Sequence, residues 1–259
     1  MKIFIITQED SLVIPKNMEL LSNANFIEIV GACVIKSKNS LSKKKGLFIK
    51  NFGVYQVFKM GFIIIKDKLL NIFDSMCGFK FLKNKKSVKA FCLSKKLPFY
   101  SEKNINNKNF ISELNDFDLD LIVSFSAPSI FKPELLSLPK NGCINLHCSL
   151  LPKYSGILPS FWTLFNDENE TGATVHYMDN EIDNGDILGQ KSVDILKTDS
   201  MLDIIKRTKK IGGILMVDVI HDIMTNNIKL VKNKVNHDRY HSWPTDLDFK
   251  NFAKKRNLL

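Results

Sequence analysis

Apolar and polar residues alternate along this chain in blocks rather than singly. Ile3, Phe4, Ile5 and Ile6 form an uninterrupted apolar run, which predicts a strand covered on both faces. The polar stretch 7–11 follows, and Pro15 suits the first turn of a helix carrying Glu19 and Leu21. A second apolar run over 26–35 predicts the next strand. This strand–helix–strand opening points to an α/β fold on a mostly parallel sheet flanked by helices. Further on, the pattern predicts a helix over 87–95, a strand over 97–100, a helix over 110–114 and a strand over 121–125. A helical turn over 132–138 precedes the run NGCINLHCSLLP. Strands are expected over 174–178 and 187–193, and a long helix over 200–224. Ser200 caps that helix, with Asp203 three residues on as a weaker form of the capping box. Residues 226–259 read as a short polar C-terminal tail with a basic end.

The segment 37–86 reads as a helical insertion. It carries Lys43, Lys44 and Lys45, then continues as GLFIKNFGVYQVFKMGFIIIKDKLLNIF, apolar with lysines at Lys50, Lys59, Lys66 and Lys68. Gly53 and Gly61 would weaken a continuous helix. The ordinary expectation is a helical layer packed on the sheet or in an oligomer interface. The bolder one is a helix lying on a membrane surface, with lysines at its polar edge.

Composition narrows the class. With 44% hydrophobic residues over 259 positions the chain can bury a substantial core, which excludes disorder. No window approaches eighteen uncharged apolar residues, so no spanning helix is expected. MKIFIIT lacks the features of a signal peptide, and a cytoplasmic protein is expected. The net charge of +10 invites a nucleic-acid partner. However, only Arg207, Arg239 and Arg256 are arginines, and specific phosphate and base readers favour the planar guanidinium. No nucleic-acid partner is therefore expected. The five cysteines contain no CxxC pair, so neither a disulfide framework nor a thiolate zinc site is legible. No GxGxxG follows the first strand, which gives a dinucleotide site no support.

The chemistry is concentrated over 141–190. Asn145 and His147 sit two apart in CINLHCSLLP; on a strand both leave one face, while Ile144, Leu146 and Cys148 point away. The carboxyl end of a parallel strand is where α/β folds place sites. SLLPKYSG follows at once as a Pro- and Gly-bounded loop, and EIDNGDI sets Asp183 in a Gly-containing turn between two strands. An Asn, a His and an Asp that converge are the parts of an acyl-transfer site without a covalent nucleophile. The competing explanation is a set used only for hydrogen bonding within the fold.

Three stretches, DLDLIVSFSAPSIF, NGCINLHCSLLPKYSG and TGATVHYMDNEIDNGDILGQ, in this order resemble the folate-dependent formyltransferases. That family includes methionyl-tRNA, glycinamide ribonucleotide and amino-sugar formyltransferases. The resemblance covers about 85–225, extends to 1–36, and says little about 37–84 or the tail. It implies a Rossmann-like catalytic domain over 1–225, 10-formyltetrahydrofolate as cosubstrate, no metal, and a catalytic trio of Asn145, His147 and Asp183. The pterin would lie between loops 126–131 and 179–183. Ser126, Ile130, Phe131, Asp179, Asn180 and Glu181 are the implied donor contacts, largely through backbone groups. Ala127, Pro128 and Ser129 depart from what relatives carry there.

In the implied reaction a primary amine attacks the formyl carbon. Asn145 would donate to the oxygen that becomes negative. His147 would stabilise that oxygen when protonated, or take the amine proton when neutral. Asp183 would orient the ring and help move a proton to the leaving nitrogen. His176 reads as structural, Ser149 as a loop-shaping residue, and Phe161 and Trp162 as core or acceptor-pocket walls. His221 carries no expectation, and His237 and His241 belong to the tail. YHSWPT suggests a packed segment near the acceptor end.

Among acceptors, the tRNA enzymes add a C-terminal barrel and an arginine-rich loop. Here 35 residues follow position 224 of 259, and the loop reads KYSGILPSFW. The glycinamide ribonucleotide enzymes carry a glycine-rich loop after the first strand, where this chain has TQEDSLVIP. Formyltetrahydrofolate hydrolases carry an N-terminal regulatory domain. Elimination leaves a nucleotide-linked amino sugar for surface glycans, with a homodimer left open. The alternative from another class is an inactive folate- or nucleotide-binding relative.

Overall fold

A computed structural model describes residues 1–36, 41–234 and 240–257, with side chains omitted at 41–45, 47, 48 and 51. The start of the insertion, 37–40, and His237 lie outside the described residues. Seven strands, β1 (Lys2–Thr7), β2 (Glu28–Ile35), β3 (Phe99–Glu102), β4 (Leu121–Phe125), β5 (Cys143–His147), β6 (Glu170–Tyr177) and β7 (Ile187–Asp194), form one sheet. Their order is β3-β2-β1-β4-β5-β6-β7. The pairs from β3 through β5 are parallel, and β5–β6 and β6–β7 are antiparallel. The order reverses at β1 and β4, which makes the sheet Rossmann-like and opens a crevice beyond the carboxyl ends of the strands.

The apolar runs pack as their alternation requires. One face of the sheet holds Ile3, Ile5, Val123, Ile144 and Leu146 against α1 (Ile14–Asn23), α3 (Val88–Lys95) and α7 (Met201–Met224). The other face holds Phe4, Ile6 and Ile122 against α4 (Lys108–Asn115) and α5 (Pro133–Leu136). The α7 cap is a complete reciprocal box: Asp203 N donates to Ser200 Oγ at 3.2 Å, and Ser200 N donates to Asp203 Oδ2 at 3.1 Å.

Two expectations need correction. The C-terminal residues, expected as a short polar tail, include a packed helix. Residues 246–255 form α8 (Asp246–Lys255), whose Phe249 and Phe252 join Phe161 and Leu164 of α6 (Pro159–Phe165) in a third apolar cluster. Thr245 and Asp248 form a capping box at its start, and the phenylalanines three apart make its apolar face.

The insertion is helical but does not lie on the sheet. α2 (Leu41–Met76) breaks at Gly53 (φ 78°, ψ 159°), whereas Gly61 stays inside the helix. Phe52 packs on Phe249 and Phe252, at ring separations of 5.8 and 5.9 Å. Beyond Gly53 most of the large apolar side chains are exposed, whereas Val57, Met60, Ile63 and Leu70 are half-buried. The latter share the inner face with Asp67 and Asp74, which are held by Lys86 and Lys85 from the turn that follows.

Candidate active site

Alternation along β5 sends Ile144 and Leu146 into the core and turns Asn145 and His147 to the opposite face, 9% and 6% exposed. Cys148 points away, toward Thr208 and Lys209, and burial pushes its thiol up. The antiparallel partner β6 sets His176 across from Asn145 and Thr174 across from His147. Four polar side chains therefore share one face of two strands. Asn145 Nδ2 donates to His176 Nε2 at 3.2 Å, and His176 Nδ1 donates to the Tyr177 carbonyl at 2.7 Å. With its proton on Nδ1, the His176 ring offers only a lone pair to Asn145. The second amide hydrogen of Asn145 is left for another acceptor, and its Oδ1 is buried without a partner. Buried polar atoms in folded proteins nearly always have a partner, so this one stands out.

The loop after β6 brings the acid to this face. Asp179 accepts from Glu181 N and from Asn184 Nδ2, both at 2.9 Å, and Asn233 Nδ2 donates to the Asp183 carbonyl at 2.7 Å. Held in this way, Asp183 adopts φ 52° and folds back over the strands. Its Oδ2 lies 3.3 Å from His147 Nδ1 and accepts from Gly156 N at 2.8 Å, and its Oδ1 lies 3.6 Å from His176 Nε2. The continuous chain of contacts is thus Asn145–His176–Asp183–His147.

His147 has acceptors on both sides: Asp183 at Nδ1, and the Tyr154 carbonyl at Nε2, 2.9 Å away. Only the imidazolium satisfies both. Burial alone would lower the basicity of the ring, but the Asp183 charge and hydrogen bond and the Tyr154 carbonyl reverse this and raise it above the ordinary 6.5. Burial would likewise raise the Asp183 carboxyl, and the charge and hydrogen bond of His147 override it, holding the group well below the usual carboxylate range.

The loop between β5 and α6 forms one wall. Ser149 Oγ donates to the Lys153 carbonyl at 2.8 Å, and Thr174 Oγ1 donates to the Ser149 carbonyl at 2.6 Å. The Ser149 hydroxyl thus shapes the loop, as its sequence context suggests. Gly156 has φ 108°, and a Cβ there would stand 2.4 Å from the His241 carbonyl. The YHSWPT segment pairs with the loop at this point: His241 N donates to the Ser155 carbonyl at 2.9 Å, and Ile157 N to the His241 carbonyl at 2.7 Å. Tyr154 and Trp162 lie 5.0 and 5.2 Å from the His241 ring, making an aromatic wall.

Of the residues singled out from sequence, Asn145, His147 and Asp183 are brought together. The six implied donor contacts stand on the two neighbouring loops. Ser126 turns with φ 56° just past Phe125, which pairs with Leu146. Asn106 pins the far end of that loop, donating to the Ile130 carbonyl at 3.0 Å and accepting from Lys132 N at 2.8 Å. Ile130 is exposed, whereas Phe131 is fully buried in the core, so only its backbone can meet a ligand. The Asp179 carboxylate is engaged in its own turn, and Asn180 and Glu181 are exposed. His176, whose sequence context suggests a structural role, stands between Asn145 and Asp183. Its signal was the T-x-H of β6, which mirrors the N-x-H of β5 once the two strands run antiparallel. Among the described residues, no group of three or more His, Cys, Asp or Glu side chains is arranged to hold a metal ion.

Residues 70–220 match the family described as formyl transferase. The chain is 39% identical over 142 residues to the bifunctional polymyxin resistance protein ArnA of Wigglesworthia glossinidia brevipalpis, covering 55% of this chain and 22% of that protein. It is 33% identical over 175 residues to the methionyl-tRNA formyltransferase of Azobacteroides pseudotrichonymphae genomovar. CFP2, covering 66% of this chain and 51% of that protein. The chain therefore spans about half or less of the curated relatives it matches. Among solved structures, the N-formyltransferase of Helicobacter canadensis, in complex with folinic acid and dTDP-3-aminofucose, aligns with a TM-score of 0.60. That alignment covers 100% of this chain and 81% of the other at 19% identity, a likeness of fold.

Proposed function

This chain belongs to the formyl transferase family, and from that premise we propose that it moves a formyl group from 10-formyltetrahydrofolate to the amino group of a nucleotide-linked amino sugar. The observation that carries the reading is the Asn145–His176–Asp183–His147 network at the end of a parallel strand. The site fits such a donor: one amide hydrogen and a buried, unpartnered Oδ1 of Asn145 stand in a network that holds a charged imidazole. The donor, when bound, supplies a formyl carbon that an amine can attack.

Asn145 donates to the oxygen of that carbon as negative charge grows there, and a donor so placed lowers the barrier by about 3 kcal/mol. His147 has both N–H groups engaged, so it acts on that oxygen through its positive charge rather than by taking the amine proton. Asp183, held far down its range, is a weak base. Its work is to keep His147 charged and oriented, while the proton shed by the amine passes through water to the folate nitrogen as the bond from that nitrogen to the formyl carbon breaks. Ser126, Ile130, Phe131, Asp179, Asn180 and Glu181 line the donor's approach through the backbone of the two flanking loops.

For the acceptor, the wall of Tyr154, Trp162 and His241 suits stacking on a sugar or a base. Guanidinium groups to grip a tRNA backbone are not offered by the two described arginines. Arg207 is paired with Asp199, and Arg256 donates to the carbonyls of Leu196 and Lys197. A second reading, methionyl-tRNA as acceptor, is favoured by the 33% identity to an enzyme of that name. Incubation with 10-formyltetrahydrofolate and a panel of dTDP-, UDP- and GDP-linked amino sugars, with products read by mass, separates the two. A formylated nucleotide sugar is expected. Formylation of methionyl-tRNA alone would replace this acceptor, and no transfer to any amine would leave a folate- or nucleotide-binding relative.

A further inference from the structure

We propose that the half of α2 beyond Gly53 is a docking helix for anionic lipid, lying along a membrane surface with its apolar stripe sunk below the headgroups. Phe58, Phe62, Ile65, Leu69, Ile72 and Met76 recur at alternating spacings of four and three and so share one side of the helix. They are 72, 60, 59, 61, 58 and 81% exposed. Scattered exposed apolar residues are ordinary, but a contiguous stripe of this length marks an interaction surface.

The acids of the helix face inward, beside the half-buried Val57, Met60, Ile63 and Leu70. Asp67 and Asp74 are the only acids between positions 54 and 76, and both are buried. Asp74 pairs with Lys85 at 2.8 Å and accepts from Phe81 N and Leu82 N, and Asp67 lies 3.6 Å from Lys86. The helix is thus clamped to the protein by its carboxylates, and between positions 54 and 76 the only charged groups on its outer surface are lysines. Lys59, Lys66 and Lys68 are exposed at the borders of the stripe. Past the helix, Phe81 extends the stripe, its ring 4.9 Å from that of Phe73, with exposed Lys80 and Lys83 beside it.

Charge decides the occupant. A second copy seated on this stripe would bring a second set of lysines with no carboxylate to meet them, whereas paired helices set opposite charges along such borders. Anionic headgroups complement lysines beside an apolar face. Among the described residues, no helix is long and apolar enough to cross a membrane, so the geometry is that of a helix lying in the interface.

The test is flotation of the full chain with phosphatidylcholine vesicles, with and without phosphatidylglycerol. Binding is expected only with the anionic lipid and is expected to weaken as salt rises. Phe62→Glu with Ile65→Glu should abolish it, and an unchanged circular-dichroism melt shows that the fold is intact. Lys59→Gln, Lys66→Gln and Lys68→Gln together should weaken it by about five-fold per lysine. A Phe62→Trp variant should shift its emission to the blue when anionic vesicles are added. Equal flotation on both vesicle types, or no flotation and no blue shift, would overturn the proposal. So would light scattering that shows a dimer split by the Phe62→Glu, Ile65→Glu pair, since the stripe would then be an interface between copies.

Discussion

Asn145 has one amide hydrogen engaged by the His176 lone pair, and that contact holds the other in place. Asn145→Ala should therefore lower kcat by about a hundred- to a thousand-fold with little change in KM. Steady-state kinetics with the acceptor found in the panel reads this directly, and a variant that keeps its kcat removes Asn145 from the chemistry. His147 and Asp183 carry a pH signature. His147 is raised in the fold, so its contribution to stability is full below 6.5 and is lost as pH rises through the higher folded value. Asp183 is depressed, so its contribution is full above 3.8 and is lost as pH falls toward its folded value. Asp183→Asn removes the charge that raises His147, so burial should then lower the ring from its value in the unmutated protein. An NMR titration of the imidazole checks this; an unmoved midpoint would show that Asp183 does not govern His147. Asn145 and His147 were legible because polar residues in an apolar run stand out in a sequence, and Asp183 because its Gly-containing turn lies within a stretch that resembles the formyltransferases. His176 was not, since its task depends on which residue lies across the strand pair.

The loop between β5 and α6 works because Gly156 lets two backbones meet. Its φ of 108° favours glycine, and the His241 carbonyl fills the space a side chain would need. Gly156→Ala should cost about 1–3 kcal/mol at this position. It should also loosen the YHSWPT segment and displace the N–H that Asp183 accepts. A raised acceptor KM together with faster amide exchange at Ile157 and His241 is the expected result, and unaltered exchange would contradict it. Elements with strong local periodicity, such as β1, β4, β5 and α7, were visible in advance. The helix α8 was missed because its polar and basic residues hid two phenylalanines, although its capping box was present in the sequence. For α2 the sequence left a layer packed on the sheet or in an oligomer interface and a surface-lying helix both open, because the pairing of Asp67 and Asp74 with lysines up to nineteen positions later decides which side turns in.

At the scale of the molecule, the sheet holds two apolar layers, and a third cluster ties the C-terminal helix and the start of the insertion to α6. Phe252 is central to that tie, stacked on Phe161 at 4.6 Å and set edge-on to Phe52. Phe252→Ala should cost about 3–5 kcal/mol and lower the melting midpoint by about 10 °C. Calorimetry measures it, and a midpoint within a degree or two of the original would mean that α8 contributes little to the fold.

The sequence by itself determined the α/β class, the strand bearing Asn145 and His147, and the residue types available for chemistry. Strand and helix periodicities are local, and each is written within a dozen residues. Only the tertiary structure decided that His176 stands opposite Asn145, that Asp183 folds back within reach of two imidazoles, that the last helix closes over α6, and that α2 presents its apolar side outward. Those outcomes rest on strand register, loop closure and ion pairs between positions separated along the chain, and no local pattern encodes which distant partner wins.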